Sequence, residues 1–290
     1  MLRVNAEVLS KESDRYYYQG NLFTGVAFSV VGCTITKAVQ YQIGLATSKY
    51  VSEYFLDVDE QTTVNSDCLE PENEGYDEPA CYNGTRFSGI AYDFDNNFCT
   101  GELHYENGWL GSQINYYLSG KLEFVELIGK DLSQKYYWYE NGQIGRFEIF
   151  ARDLLEIRLA FNQQGEVTLI SIDGQYFEKI ASFTDKIKYP LFNKDNFISD
   201  LIGSDCLNIF GSTVDDELFK RLIAKGGLKN TSKLHIYGTP LAAKSIDELV
   251  SIPNIKQILV KSDVLNVEDM KKFKFQRPDC YVELNGEALI

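Results

Sequence analysis

Two histidines, six cysteines and one tight group of acids are the side chains from which this chain of 290 residues would have to build a reactive centre. His104 and His235 each lie inside an alternating strand pattern (FCTGELHY and KLHIYG), where a hydrogen-bonded structural imidazole is expected rather than a general base. The cysteines Cys33, Cys68, Cys81, Cys99, Cys206 and Cys280 are scattered and form no C-x-x-C pair, so a zinc site is not expected. In a reducing compartment they read as buried, inert thiols; Cys68 and Cys81, which bracket an acidic stretch, would be able to pair if the protein were exported. Asp57, Asp59 and Glu60 supply calcium-type oxygens, but without the turn glycine and distal glutamate of an EF-hand loop. No phosphate-cradling glycine loop, nucleophile elbow or H-E-x-x-H occurs. The expectation is a protein with no catalytic site, no metal and no cofactor.

The charge is informative by its placement. Lys and Arg number 28 against 42 Asp and Glu, a net charge of −14. Residues 1–190 hold 28 acids and 15 bases, whereas 191–290 hold 14 and 13. Residues 51–80 alone carry ten acids and no Lys or Arg. Such a field repels nucleic acid and attracts basic partners; the alternative for any acid run is a solvated loop. No apolar run approaches the roughly 20 residues of a membrane span. The first residues, MLRVNAEVLSKESD, lack a signal peptide's apolar stretch, so the cytoplasm is the expected location, with no membrane partner.

The elements that must position any binding surface are signalled by repetition. YQGNLFTGVAF at 18–28 and YNGTRFSGIAY at 82–92 share Y-x-G-x-x-F-[ST]-G-[VI]-A-[FY], and FCTGELHY at 98–105 is a looser echo. YENG occurs at 105–108 and 139–142, and Asn-Gly between apolar residues signals a hairpin because a type I′ turn needs positive φ at both central positions. Gly120, Gly142 and Gly165 follow at spacings of 22 and 23, about one hairpin per repeat, which predicts a β-meander. Nineteen Tyr and 18 Phe against 6 Pro agree with a strand-rich chain.

The Y-x-G…G-x-A and Y-[YW]-x-E-N-G-x-[IL] patterns resemble MORN repeats, in particular their form in bacterial antitoxin-like proteins, over about 16–30 and 80–180. The resemblance implies an elongated single-layer antiparallel sheet of stacked hairpins. The pattern is interrupted at 31–79 and at 150–160. Beyond about Tyr189-Pro190 the character changes: LNIFG, KLHIYG, QILVKS and CYVELNG alternate with helical stretches at 214–225, 244–251 and 266–274. The first of these has Ser212 and Thr213 as its expected N-terminal cap. Leu207, Leu234, Ile258 and Val282 recur at spacings of 27, 24 and 24, and 235–262 resembles leucine-rich repeats. Strand–helix–strand alternation favours parallel pairing in either case. The expected fold is therefore β-rich α+β: a MORN-like antiparallel β-meander over 1–190 with an acidic insertion at 51–80, then a leucine-rich-repeat-like α/β layer over 191–290.

Binding is the function these features suggest. Tyr105, Trp109, Tyr137, Trp138 and Tyr139 crowd the middle of the meander, and YYWY sends large rings to both faces of a sheet by the two-residue period. Half of such rings are expected to stack as core, leaving the rest as a partner-binding patch. With the acids Asp57, Asp59, Glu60, Glu72, Glu74, Asp77 and Glu78 they form the candidate surface. The antitoxin-like resemblance implies an immunity protein that binds and blocks a cognate, basic toxin, for instance a nuclease whose cleft the acidic segment plugs. A scaffold joining two protein partners is the alternative.

Overall fold

The computed structural model describes residues 1–52, 62–73, 78–152, 154–173 and 201–289. The chain forms a large mixed sheet system rich in strands, and its contacts group it into two compact units, Met1–Gly142 and Gln143–Ile290. The expected division near Tyr189-Pro190 falls outside the described residues.

The first unit contains one strand module twice, the second copy interleaved with the first. In the first copy β1 (Leu2–Asn5) leads through a 3-10 turn into β2 (Ser10–Glu12), β3 (Arg15–Tyr18) and β4 (Asn21–Leu22), then β5 (Gly25–Val31), β6 (Thr34–Gln42) and β7 (Leu45–Lys49). The second copy repeats the order: β8 (Thr62–Asn65), a 3-10 turn, β9 (Glu70–Pro71), β10 (Ala80–Tyr82), β11 (Thr85–Arg86), β12 (Gly89–Asp95), β13 (Phe98–Glu106) and β14 (Trp109–Tyr116). Each 3-10 turn is capped by an asparagine: Asn5 Oδ1 accepts from the Glu7 amide at 3.1 Å and Asn65 Oδ1 from the Asp67 amide at 3.2 Å. β1 runs parallel to β5 with Leu2 opposite Gly25, as β8 runs parallel to β12 with Thr62 opposite Gly89. The outer contacts are exchanged: Val4 of β1 meets Phe98 of the second copy, and Val64 of β8 meets Thr34 of the first.

The repeated motif is the joint of this module. A side chain on Gly25 would collide with the Leu2 carbonyl and the Phe23 ring, and one on Gly89 with the Thr62 carbonyl, so glycine lets the parallel strand pass. Phe23 and Phe87 are buried beneath, each with a tyrosine ring edge-on: Tyr18 at 6.4 Å and Tyr82 at 6.3 Å. The motif hydroxyls accept from the turn amides of Ile43 (Thr24 Oγ1, 3.0 Å) and Asn107 (Ser88 Oγ, 2.8 Å). The last motif residues, Phe28 and Tyr92, meet each other at 4.8 Å between centroids. The segment 31–79, where the repeat pattern is interrupted in the sequence, thus supplies β6, β7, β8 and β9 among its described residues.

Beyond β14, β15 (Leu122–Ile128) and β16 (Leu132–Trp138) continue the meander. Gly120 turns β14 into β15 with φ 73°, as its spacing predicts. The two YENG turns differ: Asn107 and Gly108 both have positive φ, whereas at 141–142 only Gly142 does. Among the described residues of this unit, Cys33 is disulfide-bonded to Cys68, with Cα atoms 5.7 Å apart. This corrects the expectation of six free thiols and of Cys81 as the potential partner: Cys81 is a buried free thiol, while the exchange of β1 and β8 brings the turn after β5 against the 3-10 turn after β8.

The second unit runs β17 (Ile144–Ala151), β18 (Leu154–Phe161) and β19 (Val167–Ile172) antiparallel. β19 then pairs in parallel with β20 (Gly203–Phe210), followed by β21 (Lys233–Tyr237), β22 (Gln257–Lys261) and β23 (Tyr281–Leu284). A final hairpin adds β24 (Glu287–Leu289). Leu207, Leu234, Ile258 and Val282 stand in register and are fully buried, as their spacing predicts. Helices α1 (Asp216–Ala224), α2 (Ala243–Glu248) and α3 (Val267–Gln276) lie between the parallel strands. The α1 cap is Asp215, whose carboxylate accepts from the Leu218 amide at 2.9 Å; Ser212 instead turns its amide and hydroxyl to Asp173. Arg277, after α3, donates to the carbonyls of Ile252 at 2.8 Å and Ile255 at 2.7 Å, tying the loop after α2 to the end of α3.

Candidate functional site

The two copies in the first unit cross at two places related by the internal repeat, and these are furnished differently. At one, Arg3 from β1 is ion-paired to Glu102 of β13, with both side chains almost completely buried. Tyr50 and Tyr116 hydroxyls donate to the same Glu102 oxygen at 2.7 and 3.1 Å. The guanidinium lies over the rings of Tyr116 (4.0 Å), Tyr50 (4.7 Å) and Phe28 (5.3 Å). Burial works against the Arg3 charge, and Glu102 with the surrounding groups outweighs it, so its pKa stands above the ordinary value. Burial also pushes the Cys99 thiol up to about 12, against the pull of Arg3, which keeps it protonated and unreactive. Every member is buried, so this cluster fastens the copies together.

At the other crossing the equivalent positions hold smaller or apolar residues: Thr63 for Arg3, Ala38 for Glu102, Ser52 for Tyr116 and Ile35 for Cys99. The lost side-chain volume leaves a cavity of about 150 Å³, walled also by Tyr50, Tyr92 and Ile90. The Ser52 hydroxyl is buried there with no hydrogen-bond partner among the described residues. Lys37 and Lys49 line the cavity and also an adjoining open groove of about 410 Å³ on the β6–β7 hairpin.

The expected site residues separate into three groups. Asp57, Asp59, Glu60, Glu74 and Asp77 lie outside the described residues. Glu72 and Glu78 are described and engaged: Glu72 takes a two-pronged ion pair from Arg86 (2.9 and 2.6 Å), which holds its carboxyl below the ordinary range, and Glu78 accepts from Asn73 at 3.3 Å. Among the aromatics, Tyr105 packs edge-on against Phe87 at 5.8 Å and belongs to the core; Trp109 is half exposed at the start of β14. Tyr136 and Trp138 share one face, 6.0 Å apart, while Tyr137 lies on the other against Phe124 at 4.8 Å. Tyr139 is half-buried beyond the end of β16. Tyr137 and Phe124, with Asn115, Gln113 and the Glu126–Lys135 ion pair (3.0 Å), form a half-exposed polar–aromatic face.

No family model matches the chain, and no curated protein matches it. Among solved structures it is similar to the GtfA/B complex bound to UDP and GlcNAc, at 11% identity over 73% of this chain and 64% of that one, with a TM-score of 0.21. The Gap123 glycosylation-associated complex of Streptococcus agalactiae gives 10% identity over 68% and 40%, with a TM-score of 0.21. Accessory secretory protein 1,2 and 3 of Streptococcus pneumoniae gives 10% over 67% and 41%, at 0.15. The chain spans less than two thirds of the length of each, and likenesses this low carry no argument.

The histidines sit where their strand patterns place them. His104, on β13, is held down to about 4 by burial, partly opposed by Glu102, and is neutral at physiological pH. His235 Nδ1 shares a 2.9 Å hydrogen bond with Asn208 Oδ1 on the neighbouring parallel strand; burial and Lys233 lower its pKa. This pair belongs to the half-buried outer face of β20–β23, along with Phe210, Tyr237 and Glu283. Among the described residues, no three His, Cys, Asp or Glu side chains gather as metal ligands, and no helix is long and apolar enough to cross a membrane.

Sequence reasoning missed Arg3, Glu102 and Ser52. The available signal was V-N-x-x-x-L, present at Val4-Asn5…Leu9 and Val64-Asn65…Leu69, a repeat at a spacing of 60 beside the motif's 64. Together the two spacings mark a duplicated module and equate Arg3 with Thr63.

Proposed function

We propose that this is a non-catalytic protein-binding protein, most specifically an immunity protein that neutralises a cognate toxin. The observation that carries the reading is the half-exposed face around Phe124 and Tyr137, where aromatic rings stand beside the Gln113–Asn115 hydrogen bond and the Glu126–Lys135 ion pair on a sheet. Tyr and Trp anchors on rigid strands are favoured hot spots because they bring large contact area at low entropic cost. The MORN-like and leucine-rich-repeat-like character of the sequence supports a stacked-repeat binding surface. The excess of 28 acids over 15 bases in residues 1–190 supports a basic partner.

Glu72 is committed to Arg86, so the acidic plug rests on the remaining acids of 51–80. Its signature is an association rate that falls steeply with salt. A cytoplasmic location is part of the proposal, and the Cys33–Cys68 bond weighs against it, because disulfides persist mainly in oxidising compartments. Alkylation trapping of both thiols in fresh extract tests the location.

The scaffold reading draws on the outer face of β20–β23, a second half-buried surface in the other unit. Affinity capture from the native cell separates the two. One basic protein recovered stoichiometrically, and lost on Tyr137→Ala with Phe124→Ala, is expected for the immunity protein. Several unrelated partners would favour the scaffold, and no partner would overturn both.

A further inference from the structure

The duplication also lets the edges of the two copies be compared among the described residues. In the second copy, β14 is flanked by β13 on one side and by β15 on the other. Its counterpart β7 pairs, among the described residues, only with β6, and Leu45–Lys49 are exposed throughout. The Tyr50 amide donates to the Ala38 carbonyl at 2.8 Å, so by antiparallel alternation the amides of Lys49 and Val51 point outward. Their counterparts, Gln113 and Asn115, face Glu126 and Phe124 of β15.

We propose that the outer edge of 48–52 takes an extended segment of a partner protein, antiparallel, in the register β15 adopts on β14. This rests on the binding-protein reading above and deepens it by naming the partner's segment. Three observations define the chemistry. Val125, opposite Ile114, points to the buried face, so the incoming residue opposite Tyr50 faces the cavity of about 150 Å³. The buried Ser52 hydroxyl in that cavity lacks a partner among the described residues, whereas its counterpart Tyr116 fills the equivalent space and donates to Glu102. Lys37 and Lys49 have no ion-pair partner among the described residues, and the residue facing Gln113, the counterpart of Lys49, is Glu126. The occupant is therefore a strand with two apolar residues flanking an acid, a local preference opposite in sign to that of the acidic chain as a whole. Backbone pairing supplies affinity and the alternate side chains supply selectivity.

The chain's own residues 121–129, KLEFVELIG, have this pattern and serve as the probe. A fluorescent peptide of that sequence is titrated against the full chain by anisotropy. Saturable binding is expected, weakened at least tenfold by Val51→Pro, which removes an outward amide without touching the β6 ladder, and likewise by Lys49→Glu. Ser52→Tyr, which fills the cavity as Tyr116 does, is expected to weaken it also. Binding that is indifferent to Val51→Pro and Lys49→Glu, or no saturation, would overturn the proposal. So would a β7-dependent dimer in sedimentation, which would make a second copy the occupant. A native partner captured equally well by the wild type and Val51→Pro would defeat this inference and leave the binding reading standing; capturing none would defeat that reading whatever the peptide does.

Discussion

The two crossings of the duplicated module share a backbone and differ in what fills them. At one, an arginine, a glutamate and two tyrosines form a buried polar cluster; at the other, Thr63, Ala38 and Ser52 leave a cavity beside a strand edge that has no partner among the described residues. Duplication gives a protein two equivalent places, and only one is needed to hold the copies together. The other holds smaller side chains around a cavity, and among the described residues its β7 edge has no strand where β14 has β15.

The largest expected effect is at the filled crossing. Glu102→Ala leaves Arg3 charged and buried, and is expected to cost about 3–5 kcal/mol in chemical denaturation. Replacing both partners by apolar residues, Arg3→Met with Glu102→Leu, should recover part of that loss, because the unpaired charge is removed while the Tyr50 and Tyr116 hydroxyls lose their acceptor. Next comes the disulfide. Cys33 and Cys68 are separated by 35 residues, so reduction, or Cys33→Ser, is expected to lower stability by about 3–4 kcal/mol through the freed loop entropy.

The third effect depends on pH. His104 is held down to about 4 in the fold, while in the unfolded chain it titrates near its ordinary value of about 6.5. Between these values the unfolded state binds more protons, so stability is full above about pH 6.5 and falls as pH drops towards 4. The loss reaches on the order of 3 kcal/mol, and His104→Asn should flatten that slope in urea melts at stepped pH. The smallest effect is at the empty crossing. Ser52→Ala removes a buried hydroxyl that has no partner among the described residues, and is expected to leave stability unchanged or raise it by up to about 1 kcal/mol. A loss above about 2 kcal/mol would show that the two crossings are more alike than their residues suggest.

The sequence made some of this visible and hid the rest for physical reasons. Hairpin glycines, the joint motif and the buried register of Leu207, Leu234, Ile258 and Val282 are local or periodic, so they can be read one segment at a time. The strands β1 and β8 are four residues long and share only Val-Asn, too short a signal beside a motif of eleven residues. Arg3 and Glu102 are 99 positions apart, and nothing local announces that a parallel strand will carry one onto the other. The Cys33–Cys68 pairing depends on the same exchange. Of the expected surface, Tyr137 faces outward as alternation requires, whereas Tyr105 was claimed by the ring of Phe87.

The comparison of the two copies is tested most directly by amide hydrogen exchange in the free, full-length protein, resolved to single residues. The amides of Gln113 and Asn115 are covered by β15, and those of Lys49 and Val51 face outward from an edge. Lys49 and Val51 are expected to exchange orders of magnitude faster than their counterparts, while Tyr50, bonded to Ala38, is protected like Ile114. Equal protection at Lys49, Val51, Gln113 and Asn115 would mean that β7 already has a partner strand, and the open edge would not exist.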